Sequence, residues 1–226
     1  MTSFPKIILW AWERPENLGF IDPETVGVAF LAKVIFLQND KTIIRPRVQQ
    51  LSLPEGTILT AVVRIESSRI KRPTLSHRQL ADVTDAIASL GQMKHISAIQ
   101  IDYDAKKSER SFYESLLKEL RHQLPKSVGL SITALASWCM HDTWLHDLPI
   151  DEAIPMLFRM GPDHTKIINY LKSGRDFISP SCKNSFGIST DEPLTIQHMT
   201  DRKLYVFHPK SWTVAEAEKI LTKVRK

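Results

Sequence analysis

The stretch Ser97-Ala98-Ile99-Gln100-Ile101-Asp102-Tyr103-Asp104 decides how this sequence is interpreted. Side chains alternate along a strand, so Gln100, Asp102 and Asp104 are predicted to share one face and the apolar residues between them the other. Burying two neighbouring carboxylates within a strand is costly, whereas a strand end that faces an open cleft accepts them. The carboxyl ends of strands are where α/β barrels and open α/β sheets carry their chemistry. The stretch therefore predicts a strand that ends at an acidic site.

Similar apolar runs occur along the whole chain and alternate with helical or loop segments. The eight strand candidates cover residues 6–12, 26–37, 58–65, 96–102, 128–136, 152–158, 186–188 and 204–207. After the second of them, a turn at residues 38–41 predicts a hairpin rather than a helix. Alternating β and α elements favour a parallel sheet, in which the candidates at 58–65, 96–102 and 128–136 should be parallel neighbours.

Eight such units within 226 residues predict a compact, irregular (β/α)8 TIM-like barrel that forms a single domain over residues 1–226. An open doubly wound sheet is the alternative. No GxGxxG or GxxxxGK[ST] motif follows any strand candidate, so a nucleotide site has no local support.

The composition is ordinary for a globular protein, with 42% hydrophobic and 24% charged residues. The net charge is +5, and one basic cluster, Ser68-Arg69-Ile70-Lys71-Arg72, stands out. No nucleic-acid motif accompanies it, so we interpret it as solvated surface and expect no nucleic-acid partner. No run approaches the roughly 20 apolar residues of a membrane span. No signal peptide is visible, which predicts a cytoplasmic location by default, or an envelope or secreted location if a signal was trimmed.

Cysteine and histidine carry little functional signal. Cys139 and Cys182 are far apart and outside any CxxC pattern, so two semi-buried thiols are expected, with a single disulfide as the alternative. His141 and His146 share a loop but lack the spacing of metal ligands such as HExxH, and no metal or other cofactor is expected. The absence of a GxSxG elbow and of a nucleophile context around either cysteine argues against Ser and Cys hydrolases.

The predicted strand ends, which a barrel brings to one mouth, are rich in carboxylates, arginines and aromatic rings. That combination is typical of sugar handling, because acids exchange protons with glycosidic oxygens and flat rings stack on pyranose faces. The candidate catalytic residues are Asp102, Asp104 and Glu66. The candidate substrate-binding residues are Trp12, Glu13, Arg14, Arg64, Gln100, Trp138 and Arg159. Within this set, Glu13, Glu66, Asp102 and Arg159 are expected to converge on one cavity.

A purely structural interpretation of the same residues stands beside the functional one. Glu13 with Arg14, and Arg64 with Glu66, have the spacing of ion pairs at a barrel rim. The two tryptophans would then belong to the core.

Six segments together resemble a known family. They cover residues 9–15, 26–31, 63–66, 99–104, 130–139 and 155–161. They resemble a bacterial family known as domain of unknown function 3142, and the resemblance spans nearly the whole chain. It implies one barrel-like domain and no particular activity.

The acidic stretch itself is similar to the fourth strand of chitinase-like glycoside hydrolases, which ends in Asp-Gly-x-Asp-x-Asp-x-Glu. Asp102 matches the third Asp of that pattern, and Asp104 stands where the Glu should be. Ser97, Ala98 and Gln100 replace the first Asp, the Gly and the second Asp. The resemblance implies that Asp104 protonates the leaving group while Asp102 assists the N-acetyl group of the substrate.

Two hypotheses follow. The first is a carbohydrate-binding, glycoside hydrolase-like barrel with Asp104 as general acid, Asp102 as its partner and Glu66 in reserve, in which Asp→Asn changes at either aspartate keep the fold. The second is a non-catalytic barrel that binds a glycan or a protein. An open cleft at Asp104 favours the first, whereas an arginine, Arg64 or Arg159, closed on both aspartates favours the second.

Overall fold

The computed structural model describes residues 4–192 and 201–224. Within them the strands are β1 (Ile7–Ala11), β2 (Glu16–Asn17), β3 (Val26–Gln38), β4 (Lys41–Pro46), β5 (Leu51–Ser52), β6 (Leu59–Ser67), β7 (Ile96–Asp102), β8 (Gly129–Leu135), β9 (Glu152–Met156), β10 (Ser185–Ser189) and β11 (Lys203–Phe207). The α-helices are α1 (His77–Gly91), α2 (Arg110–Gln123), α3 (Ala136–His141), α4 (His164–Lys172) and α5 (Val214–Val224). Short 3₁₀ helices cover Lys107–Glu109, Gly161–Asp163 and Pro180–Cys182.

Eight of these strands form a closed parallel barrel. Their order around it is β1, β3, β6, β7, β8, β9, β10 and β11, and β11 pairs back with β1. The predicted TIM-like barrel is therefore confirmed. The strands β6, β7 and β8 are parallel neighbours as predicted, with Arg64 opposite Asp102 in the register.

The second β-to-α unit departs from the regular pattern. Strand β3 turns at Asn39, which has a φ of 47°, and returns as the antiparallel strand β4, which confirms the predicted hairpin. The helices α1, α2, α3 and α4 follow β6, β7, β8 and β9, and α5 follows β11. The short helix α3 was not predicted: the strand predicted over 128–136 ends at Leu135, and the helix begins at the next residue.

Strand alternation sorts the side chains into two layers. Ile99 and Ile101 of β7 point outward into the core between the strands and the helices. Gln100 points inward, where the barrel interior is filled by side chains such as Trp10 and Tyr205. Gly187 makes room for the indole of Trp10, since a Cβ there would lie 2.7 Å from its Cη2 atom.

The two cysteines are joined in the outer layer. Cys139 of α3 and Cys182 form a disulfide with a Cα–Cα distance of 5.9 Å, so the expectation of two thiols is wrong. They are 43 residues apart, and no local pattern could reveal that the fold brings them together. Among the described residues, no helix is long and apolar enough to span a membrane.

Candidate functional site

A cavity of about 360 Å³ opens at the carboxyl end of the barrel. Its wall is largely apolar, and the charged side chains come from the strands β6 and β7 and from the segments that follow β7 and β9. The lining residues are Trp10, Trp12, Arg64, Asp102, Asp104, Thr133, Leu135, Ala136, Ser137, Met156, Phe158, Arg159, Met160, Asp163, Ile167 and Phe207. Apolar walls with a few convergent polar groups are typical of small-molecule sites.

Asp102, the last residue of β7, is held from both sides. Its Oδ1 accepts a hydrogen bond from Thr133 Oγ1 at 2.7 Å, and its Oδ2 accepts one from Arg64 Nη1 at 2.8 Å. These donors lie on the two neighbouring strands, β8 and β6. The residue is 4% exposed, so the strand register and the two bonds fix the carboxylate at the base of the cavity.

Arg64 connects this aspartate to Glu66. Its Nε donates to Glu66 Oε1 at 2.8 Å, so that one guanidinium serves two carboxylates. Burial alone would lower the pKa of Arg64, but the charges and hydrogen bonds of Asp102 and Glu66 outweigh it and the pKa is raised. Glu66 does not itself line the cavity, but it pairs with Arg64, which does.

Asp104 lines the cavity two residues beyond Asp102 and differs from it in solvent exposure and in hydrogen bonding. Its side chain is exposed, and it makes no hydrogen bond or ion pair with any residue that the structure describes. Desolvation by the surrounding walls raises the pKa of Asp104, and the Asp102 carboxylate raises it further, while Arg64 opposes both. A carboxyl group in this position keeps its proton to higher pH than an ordinary aspartate.

Aromatic rings form one continuous wall. Phe158 and Phe207 stack with an interplanar angle of 3° and ring centroids 5.8 Å apart. Trp12 meets Phe207 edge-on at 6.1 Å, and Trp10 meets Phe158 at the same distance. The guanidinium of Arg159 lies over the Phe207 ring, 5.2 Å from its centroid. The wall offers flat apolar faces next to the acidic base.

Arg159 reaches this place through an unusual backbone conformation. Its φ is 52°, a left-handed geometry that costs a non-glycine residue about 1–2 kcal/mol. The strain is offset by Glu192, which accepts a hydrogen bond from the Arg159 amide at 2.9 Å, and by an ion pair with Asp191 at 3.1 Å. The arginine is thus neutralised at the rim.

Two predicted residues near the end of β1 lie outside the cavity. Glu13 pairs with Arg45 at 3.0 Å on the exposed surface. Arg14 donates to Glu16 at 3.0 Å and to the carbonyl oxygens of His208 and Pro209 at 2.5 and 2.8 Å. Arg14 therefore ties the segment after β1 to the segment after β11. Of the four residues expected to converge, Asp102 and Arg159 line the cavity, Glu66 adjoins it and Glu13 does not.

Two further predicted residues are buried elsewhere. Gln100 is fully buried below the cavity, where its Oε1 accepts a hydrogen bond from Trp10 Nε1 at 2.8 Å. It can thus position Trp10 but does not line the cavity. Trp138 lies on α3 in the outer layer and packs edge-on against Trp144 at 5.1 Å.

The structure adds lining residues that the sequence interpretation did not single out. Thr133 lies on the inward face of β8, which strand alternation could have shown. Asp163 is an exposed carboxylate immediately before α4, and it lines the cavity together with Phe158, Arg159 and Met160 of the segment after β9. Within the two described ranges, no group of three or more His, Cys, Asp or Glu side chains has a geometry that could hold a metal ion.

Comparison with known proteins bears on the central part of this site. Residues 55–152 match the model of the family described as Domain of unknown function (DUF3142). This match supports the family predicted from the sequence over that segment of the chain. The DUF3142 match contains β6, β7 and β8, and therefore Arg64, Asp102, Asp104 and Thr133. The aromatic residues of the wall lie outside the matched segment. No curated protein matches the chain.

Proposed function

We propose that this protein is a carbohydrate-active, glycoside hydrolase-like barrel in which Asp104 donates a proton to the glycosidic oxygen. The observation that carries the proposal is the unpartnered Asp104 carboxyl group, whose pKa is raised, beside the doubly bonded Asp102. A carboxyl group with a raised pKa beside a second, fixed carboxylate is an arrangement that glycosidases use for a general acid and its partner.

Asp102 supports this chemistry electrostatically. Desolvation raises the pKa of Asp104 and the charge of Asp102 raises it further, which favours the protonated form that a general acid needs. The position of Asp102 is fixed by Thr133 and Arg64, so no reorganisation is needed when positive charge develops on the sugar ring.

The remainder of the wall favours a sugar over an anion. The faces of Trp12, Phe158 and Phe207 suit the apolar face of a pyranose ring. Both arginines in the cavity are already paired with carboxylates, Arg64 with Asp102 and Glu66, and Arg159 with Asp191 and Glu192. Among the described lining residues a phosphate would find no free cation, whereas a neutral polyhydroxylated ligand would find both donors and acceptors.

A non-catalytic glycan-binding barrel is the second candidate, and one observation favours it. Both oxygens of Asp102 are engaged, so within the described part of the cavity Asp104 and Asp163 are the carboxylates left without a hydrogen bond or an ion pair. A two-carboxylate mechanism would need Asp163 to act opposite Asp104. Without that action the same cavity would bind a glycan and leave it intact.

The deciding experiment combines a glycan array and a panel of chromogenic glycosides with two variants. Asp104→Asn removes the proton donor, and Asp85→Asn, on the exposed face of α1, is the matched control. We expect Asp104→Asn to lower turnover by two to four powers of ten while glycan binding persists, and Asp85→Asn to change neither. Glycan binding without turnover in the unmodified protein would support the second candidate. Absence of any glycan ligand, or turnover unchanged by Asp104→Asn, would refute the enzymatic proposal.

A further inference from the structure

The basic cluster of the sequence forms a defined surface in the fold. Arg69, Ile70, Lys71 and Arg72 lie in the loop after β6, next to the turn between β3 and β4 that carries Lys41. We call these five residues the Ile70 patch. It follows the carboxyl ends of two barrel strands, and so shares the end of the barrel at which the cavity opens.

Backbone hydrogen bonds hold this patch in place. The amide of Asn39 donates to the Lys71 carbonyl at 3.1 Å, and the Thr74 amide donates to the Asn39 carbonyl at 2.7 Å. On the other side, Gln79 Nε2 donates to the Lys41 carbonyl at 3.0 Å. The loop and the turn therefore present their cations as one surface rather than as two independent segments.

The charge of the patch is not neutralised. Its four cations are all exposed, and none of them forms an ion pair with a described residue. The turn also carries one exposed carboxylate, Asp40. The four cations and this carboxylate together have a net charge of +3. The arginines of the cavity, by contrast, are each paired with carboxylates.

An apolar side chain projects from the middle of these cations. Ile70 is 94% exposed, the highest value among the large apolar side chains that the structure describes. On the adjacent strand β4, Ile43 and Ile44 are exposed by 45% and 41%. A lone exposed apolar residue needs no explanation, but one surrounded by unpaired cations matches the chemistry of a lipid interface. Cations attract anionic headgroups, and the apolar side chain enters the boundary of the acyl chains.

We propose that the Ile70 patch docks this protein on a bilayer surface that contains anionic lipids. The occupant follows from the two components together, since the net charge of +3 complements anionic headgroups and Ile70 complements the acyl boundary. A nucleic acid would use the cations, but single-stranded binding relies on aromatic stacking platforms, and the five residues of the patch include no aromatic ring. The inference is independent of what the cavity binds.

The test uses the full chain and vesicles of phosphatidylcholine with or without phosphatidylglycerol, in a cosedimentation assay. We expect binding to the vesicles that contain phosphatidylglycerol, weakening as salt is added, and none to phosphatidylcholine alone. Lys71→Gln with Arg72→Gln should lower the partition coefficient roughly 25-fold, about fivefold for each charge removed. Ile70→Ser should lower it about tenfold with no change in net charge.

The control is Lys94→Gln with Lys126→Gln, which removes two exposed charges at the amino ends of β7 and β8, on the opposite end of the barrel. It should bind as the unmodified protein does. An equal loss in this control would show that only net charge matters and would refute the patch. Absence of vesicle binding, equal binding without phosphatidylglycerol, or full binding by Ile70→Ser would also refute it. Retention on DNA or RNA that outcompetes the vesicles would assign the patch to nucleic acid instead.

Discussion

Arg64 Nη1 lies 2.8 Å from Asp102 Oδ2, and this ion pair joins the ends of two adjacent parallel strands. Because of this pair, the two aspartates at the end of β7 have different hydrogen-bond partners. Asp102 is engaged on both oxygens, whereas Asp104, two residues further on, keeps a carboxyl group that no described residue binds. The open cleft expected at Asp104 is therefore present, and the arginine closes on one aspartate rather than on both.

This difference predicts different effects on stability for the same substitution. Asp102→Asn leaves Arg64 with one fewer anionic partner at a nearly buried position, and should lower the free energy of unfolding by about 1–3 kcal/mol. Asp104→Asn breaks no bond and, at a pH below the titration of Asp104, should stay within about 0.5 kcal/mol. Urea denaturation of both variants measures the difference. The sequence-based expectation that both changes spare the fold is revised for Asp102, and equal losses in the two variants would contradict this revision.

The raised pKa of Asp104 predicts a dependence of stability on pH. Between the ordinary pKa of an aspartate and this raised pKa, the folded protein keeps a proton that the unfolded chain has released. The free energy of unfolding therefore falls as pH rises through that window. Because Asp104→Asn cannot titrate, the Tm of the variant minus that of the unmodified protein should increase through the window and level off above it. Thermal unfolding from acidic to neutral pH tests this, and a difference that stays constant with pH would disprove the assignment.

Arg14 and Arg45 offer a comparison between a buried and an exposed ion pair. Arg14→Ala leaves Glu16 buried at 2% exposure and removes the donors to the His208 and Pro209 carbonyls, which should cost about 2–4 kcal/mol. Arg45→Ala breaks the exposed pair with Glu13 and should cost less than about 1 kcal/mol. Both variants should bind glycans as the unmodified protein does. A binding defect in Arg14→Ala without a loss of stability would return that residue to the site.

The disulfide predicts a response to reduction. Closing a loop of 43 residues restricts the unfolded chain, so Cys139→Ser with Cys182→Ser should lower the free energy of unfolding by about 2–4 kcal/mol. Adding a reductant should lower the Tm of the unmodified protein and leave that of the double variant unchanged. Thiol titration of the denatured, unreduced protein should find no free cysteine. Two titratable thiols would contradict the bond.

Local periodicity determined most of the fold. The alternation in β7 correctly predicted that Ile99 and Ile101 share one face of the strand and Gln100 and Asp102 the other, because successive side chains of a strand point to opposite faces. In the structure the first face packs against the helices and the second points inward. The eight strands, the hairpin after β3 and the parallel pairing of β6, β7 and β8 follow from patterns of the same short range. The helix α3 was missed, because its six residues are too few to show a helical period.

The tertiary structure decided which of two identical local patterns belongs to the cavity. Arg14 with Glu16 and Arg64 with Glu66 have the same spacing, and in both pairs the Nε atom of the arginine donates to Oε1, at 3.0 and 2.8 Å. Yet Arg14 turns to backbone carbonyls 194 and 195 residues away, and Arg64 turns to an aspartate 38 residues away. The sequence by itself determined that each arginine has a carboxylate two residues further along the chain, within reach of an ion pair. The partners of the remaining N–H donors of each guanidinium depend on barrel closure and strand register. These arise from packing between segments far apart in the sequence, so the local pattern does not reveal them.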